Sequence, residues 1–523
     1  MLRTLTILAG FAILLTATGS TAPATAASYA EGEIVVELNP GFTIEGVNER
    51  WGTTTIDVFE EAELYLVYKP DTPDLEAFAL QMMTDPAILE AEVNYFEDTP
   101  EGIRQMVIVA VGGEMVDYED QEIAERIGLP QAHEKSTGFG VTVGVLDSGV
   151  DPDHIALRDQ LVPGYDFVDH DSEPWEESNG IDDDQDGLTD DGFGHGTMVA
   201  GIIALVAPHA QIMPIRVLDD EGRSDAWTVA RAIRYAVDQG AHVINMSFGV
   251  PRTISTIGHE ITYARYHGIH MVAGAGNENT DDHVYYPGGD SKVMLITALD
   301  SLDIKADFAD WKSKVLVSAP GTGVRSSYPG GEWGLGAGCS FATPFVTGEV
   351  ALILSHAPNM TADDMEERVE YAVQPIYHIP QNGPYDGKLG SGRIYLPRAL
   401  QNYTSAAPLR PGAGQPHPPR NGVGPRLMGS LAVAFPNPAR GAVSFQLPEA
   451  GLREARGAGT PGSIDASIFD ARGRLIQSLV APSGTTIGWD GTLPSGQRAP
   501  AGSYFAILRQ DGRAYRVPVR LLR

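Results

Sequence analysis

The stretch VTVGVLDSGV, residues 141–150, decides the fold class of this chain. It is an apolar, β-branched run that ends in the carboxylate of Asp147 and in Gly149. A strand that is apolar on both faces is typical of a parallel sheet covered by helices on both sides. Ligands of such sheets bind at the carboxyl ends of the strands, so Asp147 is a candidate functional residue.

Similar apolar runs recur from about residue 118 to residue 403, and stretches with apolar residues at helical spacing separate them. The runs include residues 212–218, 243–246, 271–273, 293–298 and 315–318, and the helical stretches include residues 224–239 and 257–267. This alternation predicts an α/β domain, built on a doubly wound parallel sheet, over residues 118–403.

Two further polar residues precede predicted helices. His195 lies in GHGT before the apolar run 198–207, and Ser340 lies in GCSFATP before the run 345–354. Pro344 is expected in the first turn of that second helix, where its missing N–H costs nothing. Singly, these residues could be a turn former, a structural histidine and an N-cap. Together, in the order Asp, His, Ser, they indicate nucleophilic catalysis.

With these motifs in place, residues 118–403 resemble the subtilisin-like serine proteases, the subtilase family. Asp147, His195 and Ser340 match the family's three catalytic motifs, and Asn277 in GAGNEN matches its oxyanion asparagine. The resemblance implies hydrolysis of peptide bonds in protein or peptide substrates through an acyl-enzyme intermediate.

The segment 245–249 resembles the family's edge strand, which implies that Ser247, Phe248 and Gly249 bind the substrate backbone. Around the serine this chain departs from the family, because Cys339, Phe341 and Phe345 stand where Thr, Met and His are usual. These changes concern the packing and the pocket for the residue before the cleaved bond. Cys339 is interpreted as a small buried hydrophobe.

An acidic segment, NGIDDDQDGLTDD at residues 179–191, comes shortly before His195. Its carboxylates alternate and are followed by Gly187, as in the first half of a calcium loop, but Phe193 stands where such a loop has its last glutamate. The segment predicts a structural calcium site, with a solvated acidic loop as the alternative. The predicted ligands are Asp182, Asp184, Asp186 and Asp190.

Charge divides the chain into two parts. The 523 residues carry a net charge of −33, whereas residues 401–523, with 14 Arg, no Lys and 6 acids, carry +8. The overall acidity argues against nucleic acid as a partner, because phosphate binding depends on clustered Lys and Arg. One cysteine excludes an intramolecular disulfide, so an exported protein would depend on its cores or on metal.

The N-terminal part predicts export and processing. Residues 1–27 have the order of a secretory signal peptide, and the apolar run 5–15 is too short for a transmembrane segment. Residues 28–117 are interpreted as a small unit of order βαββαβ with a processing segment. The family resemblance implies that this unit is a prodomain that inhibits its own enzyme, and the cleavage site is not assigned.

The C-terminal part follows a Pro/Gly-rich linker at residues 404–428. Residues 429–523 predict a small all-β sandwich. This region resembles the sorting domain of type IX secretion substrates, which implies secretion machinery as a partner; a generic accessory β-domain is the alternative. The segments that carry the resemblance are 434–438, 468–474, 489–491 and 501–505.

Taken together, the sequence predicts a secreted serine endopeptidase, extracellular or at the cell surface. The alternative from another class is a catalytically silent, calcium-binding surface protein that keeps the fold. Retention of Asp147, His195, Ser340 and Asn277 in one chain favours the enzyme.

Overall fold

The structure is a computed structural model. It describes residues 29–98, 108–183, 187–250, 252–283, 285–358, 360–401, 433–435, 443–446, 464–470, 475–481, 486–493, 497–500, 502–510 and 513–521. The predicted signal peptide, the predicted linker and the predicted ligands Asp184 and Asp186 lie outside these residues. One compact unit includes residues 53–83 and the described residues between 90 and 401, and a second includes the described residues between 433 and 521. Among the described helices, none has the length and apolar character needed to cross a membrane.

Residues 29–98 have the predicted order βαββαβ. The elements are β1 (Tyr29–Leu38), α1 (Ile44–Trp51), β2 (Thr54–Phe59), β3 (Leu64–Tyr68), α2 (Leu75–Met82) and β4 (Ile88–Asp98). Side chains at the helix starts explain the boundaries, because Thr43 accepts the N–H of Gly46 and Asp74 accepts that of Ala77. The strands form a sheet in the order β2-β3-β1-β4.

Residues 108–401 contain the predicted α/β domain. Its strands are β5 (Val109–Val111), β6 (Thr142–Asp147), β7 (Tyr165–Asp166), β8 (Gln211–Arg216), β9 (Arg223–Asp225), β10 (Val243–Met246), β11 (His270–Gly274), β12 (Met294–Leu299), β13 (Val317–Pro320), β14 (Val324–Tyr328), β15 (Glu332–Gly336), β16 (Val373–Gln374) and β17 (Arg393–Ile394). Its helices are α3 (Met115–Glu119), α4 (Glu122–Ile127), α5 (Leu129–His133), α6 (His195–Val206), α7 (Ala226–Asp238), α8 (Ser255–Tyr266), α9 (Cys339–His356), α10 (Ala362–Tyr371) and α11 (Leu396–Ala399), with a 3₁₀ helix at Pro380–Tyr385.

The main sheet has the strand order β16-β17-β13-β12-β11-β10-β6-β8-β7. Pairing is parallel from β17 through β7, and only the β16–β17 pair is antiparallel. The apolar runs that predicted the strands are buried, as a sheet covered on both faces requires. The predicted parallel α/β sheet is therefore confirmed.

The register of the central strands brings several polar residues to one edge. Leu146 of β6 pairs with Met246 of β10, and Met246 pairs with Ala273 of β11. Asp147, Ser247 and the segment 274–277 consequently leave the sheet at neighbouring points on its carboxyl edge. This is the edge where the fold class places ligands.

The described residues between 433 and 521 form strands in two antiparallel sheets. The strands are β18 (Val433–Phe435), β19 (Val443–Gln446), β20 (Ile464–Asp470), β21 (Leu475–Ala481), β22 (Thr486–Trp489), β23 (Gly502–Gln510) and β24 (Arg513–Leu521), in the orders β18-β19-β22 and β21-β20-β23-β24. Phe445 and Trp489 of the first sheet share one buried cluster with Ile468 and Ala506 of the second. The two sheets therefore share a common core, and the sandwich over residues 429–523 stays a prediction.

Candidate active site

Asp147 is the last residue of strand β6, and its carboxylate is held beside an imidazole. Asp147 Oδ1 accepts the N–H of Ser148 at 2.9 Å and lies 2.6 Å from His195 Nδ1. Both side chains are 1% exposed. Gly196 permits this approach, because a Cβ there would lie 2.2 Å from the carbonyl oxygen of Gly149. The arrangement fixes the orientation of the imidazole ring.

Ser340 is the second residue of helix α9 and is tied to the end of strand β10. Its Oγ donates to the carbonyl oxygen of Ser247 at 2.9 Å, and the Oγ of Ser247 donates to the carbonyl oxygen of Ser340 at 3.0 Å. This pair of contacts holds the hydroxyl of Ser340 at the carboxyl edge of the sheet.

The predicted helix over residues 345–354 is present, but the prediction that Pro344 lies in its first turn is wrong. The helix begins at Cys339, and Pro344 lies inside it. Proline lacks the N–H that would bond to the carbonyl of Ser340 four residues earlier. The hydroxyl of Ser247 donates to that carbonyl instead, which explains how the helix tolerates the proline.

The residues at which the serine motif departs from the family pattern are packed into the core. Cys339, Phe341 and Phe345 are fully buried. The ring of Phe341, the residue after Ser340, lies 5.4 Å from the ring of His195. The aromatic substitution therefore brings the serine-bearing helix against the histidine.

Asn277 lies next to the same helix. Its Oδ1 accepts the N–H of Cys339 at 2.9 Å, and the residue is fully buried. Because the oxygen of the amide is engaged in this way, the NH₂ group is the part of the side chain that can donate to a bound oxygen.

The prediction that the segment 245–249 is an edge strand is wrong, because the only strand it enters is β10 (Val243–Met246), which is central. Strand β10 pairs with β11 on one side and with β6 on the other. Ser247, Phe248 and Gly249 follow the end of this central strand and are buried. The apolar composition of the run is what a central strand requires.

Strand β9, and not the segment 245–249, pairs with the N-terminal region. The sequence did not indicate this short strand. Phe96, Glu97 and Asp98 of β4 run antiparallel to residues 223–225. Strand β9 consists of Arg, Ser and Asp, so it lacks the apolar alternation from which strands are predicted.

The acidic segment before His195 is partly organised like a calcium loop. Asp182 Oδ2 accepts the N–H of Gly187 at 3.1 Å, while the carboxylate of Asp190 accepts the N–H groups of Asn179 and Gly180 at 2.9–3.2 Å. The buried Glu221 accepts the N–H of Asp183 at 2.8 Å. Because Glu221 reaches the loop from another part of the chain, sequence spacing did not reveal it.

Glu176 is a second residue that sequence reasoning missed. Its carboxylate accepts the N–H of Gly194 at 3.0 Å and that of Thr197 at 2.9 Å, so it contacts the helix start that carries His195. Burial and the nearby charge of Asp147 raise the pKa of Glu176 to about 7. The residue lies in an irregular segment, where no periodic pattern marks it.

Comparison with known proteins gives one family. The subtilase family model matches residues 138–390. The chain is 35% identical over 289 residues to thermitase from Thermoactinomyces vulgaris. This match covers 53% of the chain and 94% of thermitase. It is 29% identical over 368 residues to an alkaline protease from Alkalihalobacillus alcalophilus, covering 68% of this chain and 89% of that protein.

A solved structure shares the fold. Fervidolysin from Fervidobacterium pennivorans superposes with a TM-score of 0.59 at 22% sequence identity, covering 92% of this chain and 71% of that chain. At this identity the likeness concerns the fold alone. It agrees with the parallel α/β fold described above.

Proposed function

The chain belongs to the subtilase family and is a subtilisin-like serine endopeptidase, and we propose that it cleaves peptide bonds through Asp147, His195 and Ser340. The observation that carries this proposal is the 2.6 Å contact between His195 Nδ1 and Asp147 Oδ1. It is made at the sheet edge to which the Ser340 hydroxyl is tied through Ser247.

The chemistry follows from what each group can do. A neutral serine hydroxyl is a poor nucleophile, so His195 Nε2 takes the proton of Ser340 Oγ as the oxygen attacks the carbonyl carbon of the substrate. The same nitrogen then gives the proton to the leaving amine. Asp147 accepts the Nδ1–H of His195, which selects the required tautomer and stabilises the imidazolium. Water hydrolyses the acyl-enzyme by the same two proton transfers.

The negative charge on the substrate oxygen needs donors already in place. The amide NH₂ of Asn277 and the backbone N–H of Ser340 are the proposed pair. Ser340 lies in the first turn of an 18-residue helix, whose N-terminal dipole also favours negative charge there.

Residues 29–98 are proposed to be an inhibitory prodomain. Asp57 accepts the indole N–H of Trp227 at 3.0 Å and a guanidinium N–H of Arg231 at 2.8 Å, and Asn94 accepts the backbone N–H of Trp227 at 3.0 Å. Phe59 packs edge-on against Trp227, with ring centroids 6.0 Å apart. These contacts on α7 are those of an intramolecular partner. The 368-residue match to the alkaline protease, longer than the catalytic region, also supports this proposal.

The strand pairing supports inhibition at the substrate site itself. Residues 96–98 bind the polar strand β9 in an extended, antiparallel manner, as a substrate backbone would. Ser247, Phe248 and Gly249, at the end of β10, are proposed to bind the substrate on the side of the nucleophile.

The processing site is proposed to lie between Asp98 and Val109. Strand β5 pairs with β15 of the catalytic region, with Val111 opposite Trp333. Residues from β5 onward are therefore proposed to belong to the enzyme, which would place its start before the predicted boundary at residue 118.

A calcium ion is proposed to be held by the acidic loop. The loop offers carboxylate oxygens, the donors that calcium prefers. Asp182 is already turned toward Gly187 as in a calcium loop. Burial, together with the neighbouring Asp190 and Asp183, raises the pKa of Asp220, so this surface favours a cation. Asp182 and Asp190, with Asp184 and Asp186, are the proposed ligands, and Glu221 fixes the loop.

Export is proposed on the sequence alone. The signal peptide at residues 1–27 would direct the chain out of the cytoplasm, and the region 429–523 would engage secretion machinery. Deleting residues 429–523 should leave the protein in the periplasm. Normal export of the truncated chain would contradict the sorting role.

A fluorophosphonate probe tests the enzymatic proposal. It should label the mature wild-type protein at Ser340, and peptide mapping should place the label on that residue. The Ser340→Ala variant is the matched control and should not be labelled. Absence of label on folded, mature wild-type protein would favour the silent surface protein instead.

A further inference from the structure

We propose that Glu176 is a positioning residue for the catalytic histidine, because its carboxylate links the end of the Asp147 strand to the N-terminus of the His195 helix. This inference rests on the proposed triad. It adds a residue that acts through His195 without touching the substrate.

The first turn of helix α6 needs an external acceptor. Its N-cap residue is Gly194, which has no side chain to bond the free N–H groups of the turn. Glu176 supplies the acceptors, with Oε2 bonding the N–H of Gly194 at 3.0 Å and Oε1 bonding the N–H of Thr197 at 2.9 Å. The hydroxyl of Thr197 also donates to Oε1, at 3.1 Å. One carboxylate therefore brackets His195 on both sides.

The same carboxylate is connected to Asp147. Ser148 Oγ lies 3.2 Å and 3.3 Å from the two oxygens of Glu176 and accepts the N–H of Gly196 at 2.9 Å. Ser148 in turn donates its backbone N–H to Asp147 Oδ1, the oxygen that faces His195. A network of hydrogen bonds thus joins the partners of the Asp147–His195 contact.

Backbone contacts fix the position of Glu176 next to the hydrogen-bond network. The N–H of Glu176 donates to the carbonyl of Val150 at 3.1 Å. A Cβ on Gly149 would lie 2.7 Å from the carbonyl group of Trp175, so the two segments pack backbone against backbone. The carboxylate therefore starts from a defined position.

Charge gives Glu176 a second effect on the histidine. The titratable groups that interact with it are Asp147 at the end of β6 and Tyr328 on β14; burial together with the Glu176 charge raises the pKa of Tyr328. His195 lies in the chain between Gly194 and Thr197, whose N–H groups the Glu176 carboxylate accepts. An ionised Glu176 favours the imidazolium form of His195 that appears during catalysis. It also makes the strongest bonds to its four donors, the N–H groups of Gly194 and Thr197 and the hydroxyls of Thr197 and Ser148.

Kinetics of the Glu176→Gln variant test the proposal on the mature enzyme. A glutamine can accept at one oxygen only and turns an NH₂ group toward the remaining donor. We expect kcat per titrated active site to fall about 10-fold to 100-fold, since small displacements of catalytic groups have effects of this size. KM should stay within about twofold of the wild-type value, because no substrate contact is removed. The acid limb of the kcat profile should move to lower pH.

Glu177→Gln is the matched control. Its side chain is 60% exposed and contacts Arg216 instead of the helix start, so kcat and the pH profile should not change. If Glu176→Gln does not fold, Ser148→Ala breaks the same network without removing the charge. It should lower kcat less and leave the acid limb in place.

Active sites counted with the fluorophosphonate probe separate the two hypotheses. A wild-type enzyme that titrates fully, together with a Glu176→Gln variant of unchanged kcat and unchanged acid limb, would overturn the positioning role alone. A lower kcat with an unmoved acid limb would mean a purely structural cap and would also overturn it. Wild-type protein that does not titrate would overturn the triad, and this inference with it.

Discussion

Among the described helices, α6 and α8 each have an N-terminus bonded by a glutamate that lies elsewhere in the chain, Glu176 of the catalytic region at α6 and Glu92 of the N-terminal region at α8. Glu176 accepts two backbone N–H groups and one threonine hydroxyl at the start of α6. Glu92 accepts the same set at the start of α8, from Ser255 N–H, Thr256 N–H and Thr256 Oγ, each at 3.2 Å. In both helices the N-cap residue, Gly194 or Ile254, offers no side-chain hydrogen bond.

The two caps differ in what anchors the carboxylate. Glu176 is bonded through its backbone to Val150 and through its side chain to Ser148, both of which belong to the catalytic region. Glu92 lies on strand β4, in the region proposed to be removed on maturation. The same local interaction would therefore be permanent at the histidine and temporary at the surface of the proposed prodomain.

The largest expected effect comes from removing the nucleophile. Ser340→Ala should abolish peptidase activity by about 10⁶-fold, as loss of a triad serine does in this class of mechanism. The variant should also keep residues 29–98 attached, because self-cleavage needs the same serine. Mass spectrometry of the purified protein measures this directly. Processing of the variant at the normal site, with no other protease present, would show that the Glu92 cap is removed by another route.

A smaller loss of rate should follow from changing Asn277. Asn277→Asp keeps an acceptor for the N–H of Cys339 but removes the proposed oxyanion donor. We expect kcat to fall about 100-fold to 1000-fold, with little change in KM. Neither carboxylate cap is touched, so the variant separates transition-state stabilisation from positioning. Wild-type kcat would remove Asn277 from the proposed site.

The temporary cap should respond to pH. Burial raises the pKa of Glu92 in the complex above the ordinary value of 4.5, so the complex binds a proton more readily than the separated prodomain does. Association should therefore weaken as pH rises above about 4.5, by up to about tenfold for each unit by which the pKa is raised. The fraction of residues 29–98 that stays bound after processing, measured by size-exclusion chromatography, reports this.

Glu92→Gln should lose this part of the pH dependence, because the amide does not ionise. Glu60→Gln, at an exposed position in the same region, should behave like the wild type. A Glu92→Gln protein whose prodomain release follows the wild-type pH curve would show that this cap does not control dissociation.

Sequence patterns predicted the parts of the fold that depend on local composition. The strand over residues 243–246 has the predicted bounds, and helix α7, predicted over 224–239, spans Ala226–Asp238. Apolar runs and helical spacing are enough to predict these elements. A strand that is buried on both faces is a continuous apolar run, which can be recognised in the sequence. Strand β9 was not predictable, since its polar residues are held by pairing with a segment more than a hundred residues away.

Only some residues of the candidate site could be predicted from the sequence. Asp147, His195 and Ser340 each lie at the end of a strand or helix, so the sequence motif around each residue is enough to identify it. Glu176 and Glu221 act across the chain from irregular segments, where neither spacing nor periodicity singles them out. Pro344 was misplaced because the substitute donor for the carbonyl of Ser340 is the distant Ser247.

Removal of calcium should have a moderate effect on the region around Glu176, which caps helix α6. The acidic loop lies in the chain between Glu176 and Gly194, so an ion bound there would hold the two together. Chelation should lower the melting temperature, by about 2–4 °C for each kcal/mol of binding free energy lost. Differential scanning calorimetry with and without chelator measures the shift, and added calcium should reverse it. An unchanged melting temperature would contradict the metal site.

The smallest effect is expected at a carboxyl group that caps nothing. Glu349 lies in α9, is fully buried, and neither of its oxygens has a hydrogen-bond partner among the described residues. Burial raises its pKa well above 4.5, although Arg368 acts in the opposite direction. The folded protein therefore binds a proton that the unfolded chain releases, and stability should decrease as pH rises above about 4.5.

Glu349→Gln should flatten this decrease, by about 1.4 kcal/mol of unfolding free energy for each unit of the raised pKa that falls within the range tested. Denaturant unfolding between pH 5 and pH 9, with Ser340→Ala in the background to prevent self-digestion, measures the slope. Glu367→Gln, on the exposed face of α10, is the control and should keep the wild-type slope. An equal slope in Glu349→Gln would mean that this carboxyl is not neutral in the folded state. Glu349 would then no longer contrast with Glu176 and Glu92, whose carboxylates accept N–H groups at helix starts.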